Sequence, residues 1–222
     1  MPKMKTKKTL AKRVKVTASG KLKKKSNYTS HFAANKTHKQ KKHLGKRSAV
    51  DSTDIIDGVC NVPNDVLAIG KSAFENNLEL KKIVLADSIT KIEAMAFSGC
   101  KNLKEINLPK KLTYVSSDCF NGCSSLESII IPENVENIED GAFTFCTSLK
   151  EVIFNDKLQD ISIYAFSKCE SLQKIDLPQS LKGIQYKAFD GCKNLNYVNG
   201  IKLSHTSDNI TEEIKQVLNL KN

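Results

Sequence analysis

The chain has 222 residues, with 35 Lys and Arg against 24 Asp and Glu and a formal net charge of +11. Its length allows one or two domains. No run approaches the ~18 apolar residues of a membrane-spanning helix, and the lysine-rich start lacks the apolar segment of a secretory signal, so a cytoplasmic protein with reduced thiols is expected.

The charge is unevenly distributed. The first fifty residues hold 17 Lys and Arg and no acid, and the rest of the chain holds 18 bases and 24 acids. A basic arm therefore precedes a mildly acidic body. The apolar residues of the arm (Leu10, Val14, Val16, Leu22, Phe32, Leu44) are too few and scattered to form a core. Seventeen like charges repel, so such a segment orders against a polyanion. Nucleic acid is the obvious one, with binding that weakens steeply in salt. Within the arm, Val14 and Val16 alternate, Ala18-Ser19-Gly20 reads as a turn and Leu22 follows, which predicts a short hairpin. Asn35 is placed to cap a short helix through Lys36, Lys39, Gln40 and Lys42, with Gly45 to end it. Tyr28, His31 and Phe32 are placed to pack on that helix or to touch ribose and base edges.

The order of the residues carries more than the charge does. Met1-Pro2-Lys3-Met4-Lys5-Thr6 is followed by Ala11-Lys12-Arg13, Ser19-Gly20-Lys21-Leu22-Lys23, Tyr28-Thr29-Ser30-His31, Ala34-Asn35-Lys36, Lys39-Gln40-Lys41 and Lys46-Arg47-Ser48-Ala49-Val50. This string closely resembles bacterial large-subunit ribosomal protein thirty-five. Members of that family are short structural proteins that end in a small helix. The resemblance implies binding to large-subunit ribosomal RNA beside neighbouring ribosomal proteins. It implies RNA contacts from Lys3, Lys5, Lys7, Lys8, Lys12, Arg13, Lys21 and Lys23, from His31, and from Asn35, Lys36, Lys39, Lys41 and Lys42. Readout by such arms is mainly of shape and phosphate.

From residue 59 to 203 the chain repeats itself. Phe74, Phe97, Phe120, Phe143, Phe166 and Phe189 recur every 23 residues without insertion. Ala precedes each Phe, except that Cys119 precedes Phe120. Three residues after the Phe comes Asn77 and then Cys100, Cys123, Cys146, Cys169 and Cys192. Columns of Leu, Ile or Val follow at six and nine residues after it, and Leu85, Leu108, Ile131, Phe154 and Leu177 stand at eleven. A fixed period in this range predicts a leucine-rich solenoid whose coils stack like on like. The Leu-x-x-Ile-x-Leu segment reads as the parallel strand, and Ala-Phe-x-x-Cys as a tight helical turn. The pattern resembles the leucine-rich repeats of BspA-type bacterial surface proteins. Those proteins are usually exported, a location that does not carry over to a chain without a signal.

Cysteines recurring every 23 residues raise disulfides or a metal. Adjacent coils bring thiols within bonding reach, but zinc sites want close Cys pairs, and only Cys119 and Cys123 come near. Small buried thiols are the expectation, and Cys60 falls in the same core column as Ile83. On the strand face, the outward positions are polar and mixed in sign apart from Val84, Ile130 and Ile153, a candidate protein interface. The face has no basic stripe, so the solenoid is not expected to hold RNA.

After Leu203 the repeat stops. Ile210, Ile214, Val217 and Leu218 form one helical face, with Asn209 and Glu212 in a capping arrangement. Ile214-Lys215-Gln216-Val217-Leu218 resembles the last helix of the ribosomal family, which implies that the repeats are inserted into a ribosomal protein. The expected architecture is mixed. Residues 1–52 form a small basic α+β arm, residues 59–203 a parallel-β leucine-rich-repeat solenoid of six 23-residue repeats, and residues 208–222 the helix of the ribosomal part. No catalytic constellation, metal-ligand set or cofactor motif is present in the sequence. The expected function is that of a structural constituent of the large ribosomal subunit, carrying a solenoid with an unknown protein partner. The alternative is an off-ribosome repeat adaptor with a nucleic-acid-binding tail.

Overall fold

The computed structural model describes residues 14–16, 22–24, 55–205 and 209–220. The chain divides into two compact units, Met1–Ala49 and Val50–Asn222. In the first unit, strands Val14–Val16 and Leu22–Lys24 pair antiparallel, with Val14 opposite Lys24 and Val16 opposite Leu22. This is the hairpin that the alternating valines predict. The helix expected over residues 35–42 lies outside the described residues.

The second unit is a parallel-β solenoid of two ladders. Along the first ladder, Val59–Asn61, Lys82–Val84 and Glu105–Ile106 pair in parallel, then Ser128–Ile130 with Glu151–Ile153, and Lys174–Ile175 with Tyr197–Val198. The second joins Ala68–Ile69 to Lys91–Ile92, and runs from Tyr114–Val115 through Asn137–Ile138 and Asp160–Ile161 to Gly183–Ile184. Each register step is one repeat, so every side chain meets its own equivalent. Cys60 faces Ile83 across the ladder, in the column the sequence assigns to it.

That like-on-like stacking builds the core. Phe74, Phe97, Phe120, Phe143, Phe166 and Phe189 form one column of near-parallel rings, with centroids 5.1–5.4 Å apart and planes within 2–9° of parallel. The separation exceeds the ~4.8 Å spacing of paired strands, so the rings are offset, which suits their quadrupoles. Leu80, Leu103, Leu126, Leu149, Leu172 and Leu195 are fully buried beside them.

The Ala-Phe segment is not the helical turn that its spacing predicts. Two residues per coil take left-handed φ values. One column is Ser72, Met95, Asp118, Gly141, Tyr164 and Lys187, and the other is Asn76, Gly99, Gly122, Phe145, Lys168 and Gly191. A left-handed residue every four positions breaks a helix and turns alternate N–H groups out of the coil. Those groups donate to the next coil instead, as Phe97 N does to Cys119 O at 2.9 Å and Phe143 N to Ala165 O at 2.7 Å. The turn therefore stitches coils together through these groups, while the intervening N–H groups close it on itself, as Ser98 N does to Met95 O and Cys100 N to Phe97 O, both at 3.1 Å.

Both ends of the first ladder are closed in the same way. Ile55–Ile56 pairs antiparallel with Val59–Asn61, and Ile201–Lys202 with Tyr197–Val198. The connecting residues are Asp57-Gly58 and Asn199-Gly200, all at positive φ, the two-residue hairpin chemistry that matches strand twist. Each hairpin ends the parallel register and covers an edge that would otherwise accept another strand.

The C-terminal helix runs Ile210–Val217, and the Asn209 side chain accepts from Thr211 N at its start. It sits within the solenoid unit. Ile210 and Ile214 are buried in the solenoid core, and Val217 and Leu218 pack against it.

Candidate nucleic-acid and protein interfaces

In the basic arm, Lys23 lies on strand Leu22–Lys24, and the register sets it opposite Lys15. Lys3, Lys5, Lys7, Lys8, Lys12, Arg13, Lys21, His31, Asn35, Lys36, Lys39, Lys41 and Lys42 lie outside the described residues.

Several charges on the solenoid form cross-coil pairs. On the strands Lys82 bonds Glu105, just before them Lys150 bonds Glu127 at 2.8 Å, and after the Phe turn Lys193 pairs with Glu170 at 3.1 Å. The hydrogen bond and charge of Lys150 hold the Glu127 carboxyl below the usual carboxylate range. Pairs one repeat apart cancel locally, so among the described residues these paired lysines form no uncompensated stripe to follow a phosphate backbone.

Between these pairs, Ile130 and Ile153 are register partners on adjacent coils, 63% and 47% exposed. Val84 is also exposed, but Asn107 stands between it and Ile130 in the same column. The Asn107 amide folds back on the preceding coil, accepting from Leu85 N and donating to Leu85 O, both at 2.9 Å. Asn199 does the same to Leu177. Of the three apolar residues read from the sequence, the isoleucines form one pair, and Val84 lies beyond a polar coil.

A second exposed apolar surface escaped the sequence reading. Phe145, Ile163, Tyr164 and Tyr186 are solvent-exposed on three consecutive coils, at the Phe turn rather than on the strands. The Tyr164 and Tyr186 rings meet edge to face at 6.0 Å, and the Lys187 ammonium lies 5.3 Å from the Tyr186 ring centre. Phe145 occupies a left-handed position that Gly99, Gly122 and Gly191 fill in other coils. The signal was present as an aromatic in a glycine column, but only the turn geometry gives that column its meaning.

The thiols are structural donors. Cys100, Cys123, Cys146, Cys169 and Cys192 each direct Sγ to the carbonyl of the Phe 26 residues earlier, at 3.0–3.3 Å. All seven cysteines are buried. Burial pushes the Cys100 and Cys146 thiols up to about 12, and raises Cys119, Cys123 and Cys169 as well. A protonated, carbonyl-bound thiol is a poor nucleophile and a poor metal ligand.

A parallel solenoid with a 23-residue coil, a Phe column and a buried Cys column defines a class, the leucine-rich-repeat proteins. Residues 67–196 match the BspA type leucine rich repeat region in six copies. The fold is similar to a leucine rich repeat protein of T. pallidum (TM-score 0.62, 28% identity, 65% of this chain and 70% of that one). It is also similar to a leucine-rich repeat protein from Bacteroides ovatus (TM-score 0.52, 25% identity, 68% of this chain and 46% of that one). Residues 2–56 match the ribosomal protein L35 family. Over 54 residues the arm is 63% identical to large ribosomal subunit protein bL35 of Mycoplasmoides gallisepticum, spanning 24% of this chain and 84% of the relative. It is 61% identical to bL35 of Geobacillus thermodenitrificans, spanning 24% and 82%. The chain belongs to the ribosomal protein L35 family through its N-terminal segment, and to the BspA-type leucine-rich-repeat proteins through its solenoid.

Proposed function

We propose that the protein is a structural constituent of the large ribosomal subunit, working at the ribosome in the cytoplasm and not an enzyme. Its modules are a ribosomal arm over residues 1–52 and a solenoid over residues 59–203. The arm binds ribosomal RNA through Lys3, Lys5, Lys7, Lys8, Lys12, Arg13, Lys21 and Lys23, with His31, Asn35, Lys36, Lys39, Lys41 and Lys42 adding contacts. Neighbouring ribosomal proteins flank it. The solenoid offers Val84, Ile130 and Ile153 to a protein partner. The observation that carries the reading is the 63% identity over 54 residues, which takes in 84% of a bL35 relative. The 17 bases of the first fifty residues, with no acid among them, supply the counterion release that holds such proteins to RNA.

Sucrose-gradient sedimentation of cell lysate at moderate and high salt tests it. Co-migration with large subunits through a high-salt wash is the expected result. Migration at the top of the gradient at moderate salt would leave the ribosomal role without support and favour an adaptor off the ribosome.

A further inference from the structure

We infer that the C-terminal helix is the end cap of the solenoid and takes no part in holding the ribosomal segment to RNA. The chain is then a ribosomal arm followed by one closed repeat module, and not a ribosomal protein split by an insertion. The RNA half of this inference rests on the proposed ribosomal function.

The last coil lacks a successor to bond to. In each earlier coil the Phe N–H donates to a backbone carbonyl one coil on, 22 residues ahead, as Phe166 N does to Ala188 O at 2.8 Å. Phe189 has no further coil. Its N–H is buried, and a buried donor left unpaired is destabilising. The hydroxyl of Thr211 accepts it at 3.1 Å. Thr211 lies 22 residues beyond Phe189 and 23 beyond Ala188, the place of the next repeat's Ala. It is fully buried. A side-chain oxygen thus stands where every earlier coil presents a backbone carbonyl, and the chain continues as a helix in place of another coil.

The rest of the helix fits the same role. Ile210 and Ile214 extend the solenoid core past Phe189. Glu213 takes hydrogen bonds from Ser204 N, Ser204 Oγ and His205 N, fixing the loop that leads into the helix. Burial raises the Glu213 carboxyl, but these bonds outweigh it and hold the carboxyl below its usual range. Of the two polar members of the string that resembles the ribosomal family, Gln216 is exposed, and Lys215 is mostly covered and pairs with Glu212 at 3.0 Å. The apolar members of that string, Ile214, Val217 and Leu218, are spent on the solenoid.

The test uses the full chain and four variants. These are a truncation after residue 208, Thr211→Val, Thr211→Ser, and the exposed-site change Gln216→Glu. Two readouts are taken from each, the labelling rate of the buried thiols (Cys192 nearest the cap) and the fraction in salt-washed large subunits. We expect the truncation to speed labelling on the order of tenfold or more, because it opens the last coil. Thr211→Val should speed it less, and Thr211→Ser should restore the full-chain rate. Gln216→Glu should match the full chain in both readouts. Unchanged labelling in the truncation would overturn the capping role. Loss of subunit association in Gln216→Glu, with labelling unchanged, would overturn the exclusion of the helix from RNA binding. Failure of the unaltered chain to join subunits would refute the ribosomal reading alone, and the labelling series would still decide the cap.

Discussion

Replacing Phe143 with leucine tests whether the aromatic column is a chain of pairwise contacts or merely a greasy interior. Phe143 is fully buried and stacks on Phe120 at 5.2 Å and Phe166 at 5.1 Å. Leucine keeps the site apolar but removes both ring contacts and leaves a small void, so the cost should be roughly 1–3 kcal/mol. Each ring pair removed accounts for about 0.5–1.5 kcal/mol of that. The sharper measurement is a double-mutant cycle by urea unfolding. Phe120→Leu with Phe143→Leu removes their shared contact only once, so the pair should couple by about 1 kcal/mol. Phe74→Leu with Phe143→Leu spans three coils and should be additive within ~0.3–0.5 kcal/mol. Because each coil touches only its neighbours, coupling should fall away within one repeat. Additivity of the adjacent pair, or equal coupling of the distant one, would refute the stacked-column account.

Changing Lys3, Lys5, Lys7, Lys8, Lys12 and Arg13 to glutamine should release the chain from large subunits at moderate salt while the solenoid melts as before. Each phosphate left without its cation should flatten the salt dependence by roughly 0.7–0.9 in the log–log slope, read from gradient fractions across a salt series. Stability should fall as pH rises past the ordinary thiol value of 9.0 toward about 12, because unfolded cysteines ionise in that window while buried Cys100 and Cys146 keep their protons. Urea midpoints at pH 8 and pH 10 check the sign, and a higher midpoint at pH 10 would contradict it. Phe145→Gly should stabilise the solenoid by on the order of 1 kcal/mol, since it relieves a bulky residue held at φ 58° with its ring half in solvent. A lower melting temperature would mean that the ring contributes more packing than its exposure suggests.

How much of this was legible beforehand differs from residue to residue. The 23-residue recurrence of Phe, Cys and Leu is enough to order the columns, because each coil is too small to hide its apolar residues except against an identical neighbour. The ribosomal segment was legible for another reason: its non-basic residues keep their order among the lysines. The antiparallel end strands were written in Asp57-Gly58 and Asn199-Gly200, yet those dipeptides read as generic turns until their strands are placed.

By itself the sequence determined the composite nature of the chain, the basic arm, the repeat length and the residues that fill each core column. These follow from local order and from periodicity, which stacking turns directly into contacts. Tertiary structure alone decided three things. The Phe turn bonds forward to the next coil, because left-handed residues redirect its N–H groups. Asn107 separates Val84 from the Ile130 and Ile153 pair, because its amide is committed to the coil before it. The last helix lies on the solenoid, because the final Phe N–H and the end of the core had to be covered, and Thr211, Ile210 and Ile214 were the groups within reach.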